Sequence, residues 1–421
     1  MSSRVFVTAY GASTPLGATG DEITTALRDG CSGIRAIEKY DTASFRSKYA
    51  GVPEEGNAAI RWPSDARRCG DLFYTDLAMQ RLIASMSDAG SVDDMERVGV
   101  FLGVDEPVLD ICQTLDFATS LRPDPVGPGY ENLDEAIETH FRLTDFLTFD
   151  PSNALRRIHR VLPFRGPGMI HTGLCSASLQ SLGAAFQSIR SGRIDRAIVG
   201  GVSAKVTPEH YIGLEAVDVI ATDDRLQPDC LSRPFDSRRS GYVPAEGAIL
   251  FLLESAEAAR ARQADPLMEV SGYGSALNAN HVVKPHPTSE EMVAAMCRAL
   301  KDADIAPEHI GLVNAHGTST QLNDKHEADA INRVLPHRVP VTANKSLHGH
   351  LIAAAGAMET LNTLLSFQAG IIPGTRNLDD RDAACDVDAV PETRDAQVDH
   401  CLKNSFGMGG LAASVVLSRC A

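Results

Sequence analysis

His171-Thr172-Gly173-Leu174-Cys175-Ser176-Ala177-Ser178 opens a stretch that runs through a helical repeat to the strand-like Arg196-Ala197-Ile198-Val199-Gly200, and its reading decides the fold. From Ser176 to Ser191, Leu179, Leu182, Phe186 and Ile189 recur at helical spacing, and Gly192 closes the run as a C-terminal glycine does. The unit is therefore turn, helix, buried strand, with a lone cysteine at the helix start. Unpaired backbone N–H groups and the positive end of the helix dipole favour an anion there, which suits a thiolate nucleophile. A free cysteine among small residues is also commonly a small buried hydrophobe, so Cys175 alone decides nothing.

Working outward, the same alternation returns. Upstream lie a strand at Arg4 to Thr8, a glycine loop at Gly11 to Gly17, a helix from Asp21 to Arg28, a helical run at Leu72 to Ala89 and a strand at Val98 to Gly103. Downstream, a strand at Ala248 to Glu254 and a short helix end near Pro266. The pattern then restarts: strand Met268 to Tyr273, helix Ser289 to Asp304, strand Gly311 to Asn314, helix Asp324 to Leu335, strand Val339 to Ala343, helix Leu351 to Gln368, strands His400 to Asn404 and Ala413 to Ser418. Such alternation predicts an α/β protein with a largely parallel, helix-covered sheet. Its recurrence about residue 260 predicts two similar halves, 1–260 and 261–421. Residues 105 to 165 are irregular and proline-dotted, with a helix at Leu133 to Phe141 and a basic cluster of Arg156, Arg157, His159 and Arg160; they read as a cap or interface.

Composition narrows the function. The chain has 421 residues, 43% of them apolar, enough for a large core. Nine cysteines, odd in number and without metal spacing, read as reduced thiols, and no metal site is expected. No apolar run reaches membrane length and no export signal opens the chain, so a cytoplasmic protein is expected. A net charge of −16 argues against a general nucleic-acid binder. GxGxxG is absent from the first loop, which argues against a nucleotide site.

Three further polar loops flanked by apolar strand accompany Cys175: NAHGTST at 314–320, KSLHGHL at 345–351 and NSFGMGG at 404–410. Loops at strand C-termini are where open α/β sheets gather ligands. With the opening RVFVTAYGASTPLG, the nucleophile stretch CSASLQSLG and the central SRPFDSRRSGYVPAEGA, they resemble, in order and spacing, the β-ketoacyl synthases of the condensing-enzyme superfamily. The resemblance spans almost the whole chain. It implies a thiolase-like fold, with duplicated βαβαβ halves forming a five-layer αβαβα sandwich. It also implies an acyltransferase that joins malonyl-[acyl carrier protein] to a cysteine-bound acyl chain with loss of CO2.

By this resemblance Cys175 is the acylated nucleophile, and His316 and His350 assist decarboxylation. Lys345 pairs with Glu359 to order a histidine loop, and the backbone N–H groups of Cys175 and Met408 form an oxyanion hole. Thr318, Thr320, Phe406, Met408 and His281 are expected to contact the pantetheine arm or substrate. Thr318 and Thr320 suit turn capping equally. Asp324 and Glu327 are supporting candidates whose alternative is a solvated helix face. Arg67, Arg68 and Lys284 are candidates for docking an acidic carrier. No cofactor is implied beyond the carrier's phosphopantetheine, and the partners implied are acyl carrier protein and either a second copy or a chain-length-factor-like subunit. His348 stands where relatives carry threonine and receives no catalytic role.

Met408, Arg239-Ser240-Gly241, Ala245 and Asn278 to Pro285 depart from the family pattern, which points to a substrate other than ordinary saturated chains, such as an unsaturated or aryl-primed polyene intermediate. A degradative thiolase is disfavoured because the last glycine loop has no second cysteine. A non-catalytic partner subunit is disfavoured because Cys175 and both histidines are present.

Overall fold

The computed structural model describes residues 4–59, 70–86, 92, 94–106, 111–142, 150–223 and 225–420. Its centre is one eleven-stranded sheet. The first half supplies β1 (Val5–Ser13), β2 (Val98–Val104), β3 (Gly168–His171), β4 (Arg196–Ser203) and β5 (Gly247–Ser255). The second supplies β6 (Met268–Leu277), β7 (Leu312–Asn314), β8 (Pro340–Thr342), β9 (Asp388–Ala389), β10 (His400–Gly407) and β11 (Leu411–Arg419). The order is β3-β2-β4-β5-β1 followed by β6-β11-β10-β7-β8, with β9 on the far edge. Read outward from the seam, each half therefore runs first strand, last strand, penultimate long strand, then two parallel strands. The seam itself is a short antiparallel pairing, Val5↔Val270, Phe6↔Glu269 and Val7↔Met268.

The sheet is mixed rather than largely parallel. β5 runs antiparallel to β1 and β4, and β11 antiparallel to β6 and β10, while β2 and β7 are parallel to both their neighbours. Each half ends in a strand that returns between two earlier ones. After β10 the return is a tight turn at Met408–Gly410, which permits only antiparallel pairing.

Five helices set the layers: α1 (Gly70–Met86), α2 (Ala177–Arg190), α3 (Glu290–Ala303), α4 (Gln321–Val334) and α5 (Ala355–Ala369). α2 and α5 touch each other and strands of both halves, and α5 is buried on every side from Ala355 to Phe367, as a helix apolar around most of its circumference must be. α1 covers the outer face of β1, and α3 that of β6 and β11. The result is the five-layer αβαβα arrangement. The outer helices press backbone against backbone: a Cβ on Gly11 would stand 2.1 Å from Ala78 O, and one on Gly274 would stand 2.2 Å from Ala295 O. That contact explains why Gly11 is not in a loop. β1 continues through it to Ser13, paired with β5.

In the irregular segment the described residues form helices Ile111–Ser120, Leu133–His140 and Asn153–Val161. The last carries the basic cluster, with Ala154 and Ile158 inward and Arg156, His159 and Arg160 outward. Among the described residues no helix is long and apolar enough to cross a membrane.

Candidate active site

Cys175 lies in a three-residue 3-10 turn, Leu174–Ser176, between β3 and α2, rather than in the helix itself. Leu174 holds the turn open at φ 48°, a left-handed conformation costly for a branched side chain and found where surroundings enforce it. Gly103 at the end of β2 makes room for the helix start, since a Cβ there would lie 2.3 Å from Ser178 N. The second half builds the same turn at Ile352–Ala354, with Ile352 at φ 42°, leading into α5. His350 lies two residues before that turn, so the first half puts the nucleophile in the turn and the second puts a histidine in the loop leading to its counterpart.

The structure brings Cys175, His316 and His350 together. Cys175 Sγ and one nitrogen of each ring lie within 4.8 Å of one another, and all three side chains are buried. His350 Nε2 is 3.0 Å from the sulfur. The Ile352 N–H points at His350 Nδ1 at 3.2 Å, so Nδ1 accepts and the neutral ring carries its proton on Nε2, facing Cys175. The Lys345 ammonium lies 3.2 Å from His316 Nδ1, which likewise leaves the His316 proton on Nε2. Burial, then the Lys345 charge, holds both histidines well below the ordinary imidazole range. Burial pushes the Cys175 thiol up to about 12, against the lowering pull of Lys345. Burial thus favours a neutral thiol beside two neutral imidazoles, against the pull toward thiolate that the helix start and Lys345 supply.

Lys345 also donates to His316 O at 2.6 Å and to Glu359, whose other oxygen is 2.7 Å from Lys403 Nζ. Burial would raise Glu359, but the two lysines hold it below the usual carboxylate range. Glu327 accepts from the backbone N–H groups of His316 and Gly317, each at 2.8 Å, and from Asn404 Nδ2 at 3.2 Å. Asp324 accepts from Phe235 N at 3.0 Å and Ser319 N at 3.2 Å. Both acids are fully buried clamps on the histidine loop, not a solvated helix face.

A cavity of about 560 Å³ reaches the three groups and is also lined by Tyr242, Phe406, Met408, Thr318, Thr320 and Lys284. The Thr318 and Thr320 hydroxyls are 2.9 Å apart, and Thr320 also caps α4. His281 does not join this cavity: it is exposed, and its Nδ1 accepts from Val283 N and Lys284 N, closing its own turn. Arg67 and Arg68 lie outside the described residues. His348 is buried with Nδ1 2.7 Å from Gly349 O and does not line the cavity. Arg239 is buried rather than at the entrance, bonded to Asp382 at 2.6 Å and to the carbonyls of Thr320 and Gln321.

Two lining residues receive no role in the sequence reading, although Tyr242 lies within the quoted SRPFDSRRSGYVPAEGA. Tyr242 packs edge-on against His350 at 4.9 Å between ring centroids. Glu291 is buried in the wall with Oε2 unbonded among the described residues.

Residues 2–259 match the family model "Beta-ketoacyl synthase, N-terminal domain" and residues 267–379 match "Beta-ketoacyl synthase, C-terminal domain". The chain belongs to the β-ketoacyl synthase family. This β-ketoacyl synthase is 31% identical to 3-oxoacyl-[acyl-carrier-protein] synthase 2 of Coxiella burnetii, over 99% of this chain and 98% of that protein. It is 32% identical to the granaticin polyketide putative beta-ketoacyl synthase 1 of Streptomyces violaceoruber, over 100% and 99%. Among solved structures it resembles a type II polyketide ketosynthase in complex with its acyl-carrier protein and bound to the hexaketide (TM-score 0.87, 26% identity, 100% of both chains). It also resembles the ishigamide ketosynthase/chain length factor (TM-score 0.84, 28% identity, 100% of both chains).

Proposed function

We propose that the chain is a type II β-ketoacyl-[acyl carrier protein] synthase, working in fatty acid or specialised polyketide or polyene biosynthesis. The observation that carries this is the convergence of the Cys175 sulfur and one ring nitrogen each of His316 and His350 within 4.8 Å, all three lining a single cavity.

An acyl chain arrives as a carrier thioester, and Cys175 Sγ attacks its carbonyl carbon. The developing oxyanion is received by the backbone N–H groups of Cys175 and Met408, the carrier thiol departs with the proton, and the acyl group remains on sulfur. Malonyl thioester then enters. Its carboxylate leaves as CO2, and the electron pair of the broken bond forms an enolate whose oxygen meets the Nε2–H groups of His316 and His350. Because both rings are neutral, they act as donors aimed at developing charge, and none need act as a strong base. The enolate carbon attacks the Cys175 thioester, forming the carbon–carbon bond; collapse breaks the C–S bond, and the Cys175 thiolate takes a proton from solvent to return to the thiol.

In this reading Thr318, Thr320, Phe406 and Met408, which line the cavity, hold the pantetheine arm, and the exposed Lys284 meets the carrier. The reading requires no metal. A metal-bound histidine needs a bare nitrogen facing the ion and an N–H on its far side, and both rings have the reverse arrangement. Acyl carrier protein is the partner, and the chain pairs with a second copy or serves as the catalytic member of a ketosynthase/chain-length-factor pair in the cytoplasm. Retention of the sulfur favours the catalytic member over a silent one.

Intact-mass measurement with a panel of acyl carrier thioesters tests the proposal. A Cys175-bound acyl adduct that malonyl-carrier converts to a β-ketoacyl product is expected; no adduct from any donor contradicts it.

A further inference from the structure

Lys403, in β10, is fully buried and belongs to no step of the chemistry above. Its ammonium forms an ion pair with Glu359 Oε2 at 2.7 Å and bonds the carbonyl of Asn404, where the last glycine loop begins. The other oxygen of Glu359 is taken by Lys345, which in turn reaches His316 O at 2.6 Å and His316 Nδ1 at 3.2 Å. A continuous chain of contacts, Lys403 to Glu359 to Lys345 to His316, therefore runs from the sheet to the histidine.

The charges around His316 balance only with Lys403 counted. Lys345, on the short helix Lys345–His348, and Lys403 supply two positive charges; Glu359 from α5 and Glu327 from α4 supply two negative ones. Asp324, one turn before Glu327, is matched separately by Arg239 at 3.8 Å. Cys175, His348 and His350 complete the surroundings, and burial favours the neutral form of each. Burial comes first at every site, lowering His316, His348 and His350 and raising Glu327 and Glu359, whereas the Lys403 charge lowers the proton affinity of all five. Without that charge the cluster is left net negative, and a buried charge without a partner is neutralised by taking up a proton. A proton added to His316 goes to Nδ1 and displaces Lys345; one added to Glu327 weakens its hold on the His316 and Gly317 N–H groups.

We infer that Lys403 is a positioning residue for decarboxylation: acting through Glu359 and Lys345, it completes the charge balance that fixes the His316 ring toward the malonyl thioester. This deepens the ketosynthase reading and rests on it. Lys403 touches no reacting atom, so its effect is read in how activity depends on pH rather than in rate alone.

The test measures CO2 release from malonyl-carrier against pH in the Cys175→Ala background, which isolates decarboxylation, alone and with Lys403→Met or Lys403→Met/Glu359→Gln. Lys403→Met makes the cluster one charge more negative, and the second substitution restores neutrality. The low-pH edge of activity is expected to rise by about one pH unit or more with Lys403→Met and to return toward its original position in the double substitution, even where the rate stays low. In protein that keeps Cys175, alkylation of the thiol by iodoacetamide should hold its pH dependence with Lys403→Met, since Lys345 is the lysine that lowers the thiol. Lys403→Gln, which keeps a donor for Glu359 and the Asn404 carbonyl without the charge, is the milder variant and should shift the edge in the same direction. A slower reaction with an unmoved edge, an edge that stays raised in the double substitution, or an equal shift in Cys175 alkylation overturns the inference. Should no Lys403 variant fold, the protein with Lys403 intact decides: an edge well below the ordinary imidazole range supports the inference, and one at that range overturns it. Absence of CO2 release at every pH with Lys403 intact overturns the ketosynthase reading itself, an outcome distinct from any position of the edge.

Discussion

The two halves share a plan and divide the chemistry. Each sets two parallel strands beside an antiparallel return, and each ends its outer parallel strand in a left-handed residue, a 3-10 turn and a buried helix. In the first half the turn holds Cys175. In the second the corresponding turn holds only Ile352 to Ala354, and an added loop before it brings Lys345, His348 and His350. Beyond the neighbouring strand the first half places Asp105 and the second His316. One half thus presents the sulfur, the other presents two imidazoles braced by buried ions. Duplication supplied a symmetric frame, and the chemistry arose where the symmetry was broken.

Both halves also contain a buried ion cluster, and comparing these gives the largest expected effects. Lys345, Glu359 and Lys403 brace the histidine loop; Lys39 and Glu246, 2.7 Å apart with Tyr74 OH at 2.5 Å, brace the first half away from the histidines. Removing one partner of a buried pair costs roughly 3–5 kcal/mol. Denaturant unfolding should therefore show losses of that order for both Glu359→Gln and Glu246→Gln. The Glu359 change should be the greater because it strands two cations. Only Glu359→Gln should also slow malonyl decarboxylation at protein concentrations and temperatures where it remains folded.

The paired glycines give the next effect. Gly11→Ala and Gly274→Ala each force a helix backbone off its sheet, and overpacking of this kind costs roughly 1–3 kcal/mol. Thermal unfolding should show similar losses for the two, since each Cβ meets a carbonyl oxygen at nearly the same distance. A marked inequality would mean that the outer layers are less alike than their topology.

The remaining effect depends on pH and concerns Asp105, buried beside the Ala353 turn. Its carboxyl titrates near 8 when folded and near 3.8 when unfolded, so between these values the folded state binds the extra proton and stability falls as pH rises. Wild type should therefore lose stability relative to Asp105→Asn between about pH 4 and 8, by at most about 1.4 kcal/mol per pH unit. Paired urea titrations across that range give the difference directly.

How much was legible in the sequence follows from what leaves a pattern. Cys175, His316 and His350 each sit in a polar loop flanked by apolar strand, and such loops can be read without coordinates. The Lys345–Glu359 pairing came through family resemblance, because fourteen residues of separation alone do not specify contact. β3 and β9 are too short to show periodicity. Strand direction escaped because the path of the chain, not local pattern, decides it. Tyr242 lies inside the quoted central motif, but only the packing shows that its ring meets His350. The resemblance implies a substrate contact for His281, but its ring accepts from the N–H groups of its own turn.

The division of labour between the halves is tested most directly by measuring malonyl-carrier decarboxylation and condensation in parallel on Cys175→Ala and His316→Ala. Cys175→Ala should release CO2 without forming a carbon–carbon bond, while His316→Ala should still accept an acyl chain on Cys175 but lose decarboxylation by roughly a hundredfold or more. Loss of acyl loading and CO2 release in equal proportion in both variants would contradict the account.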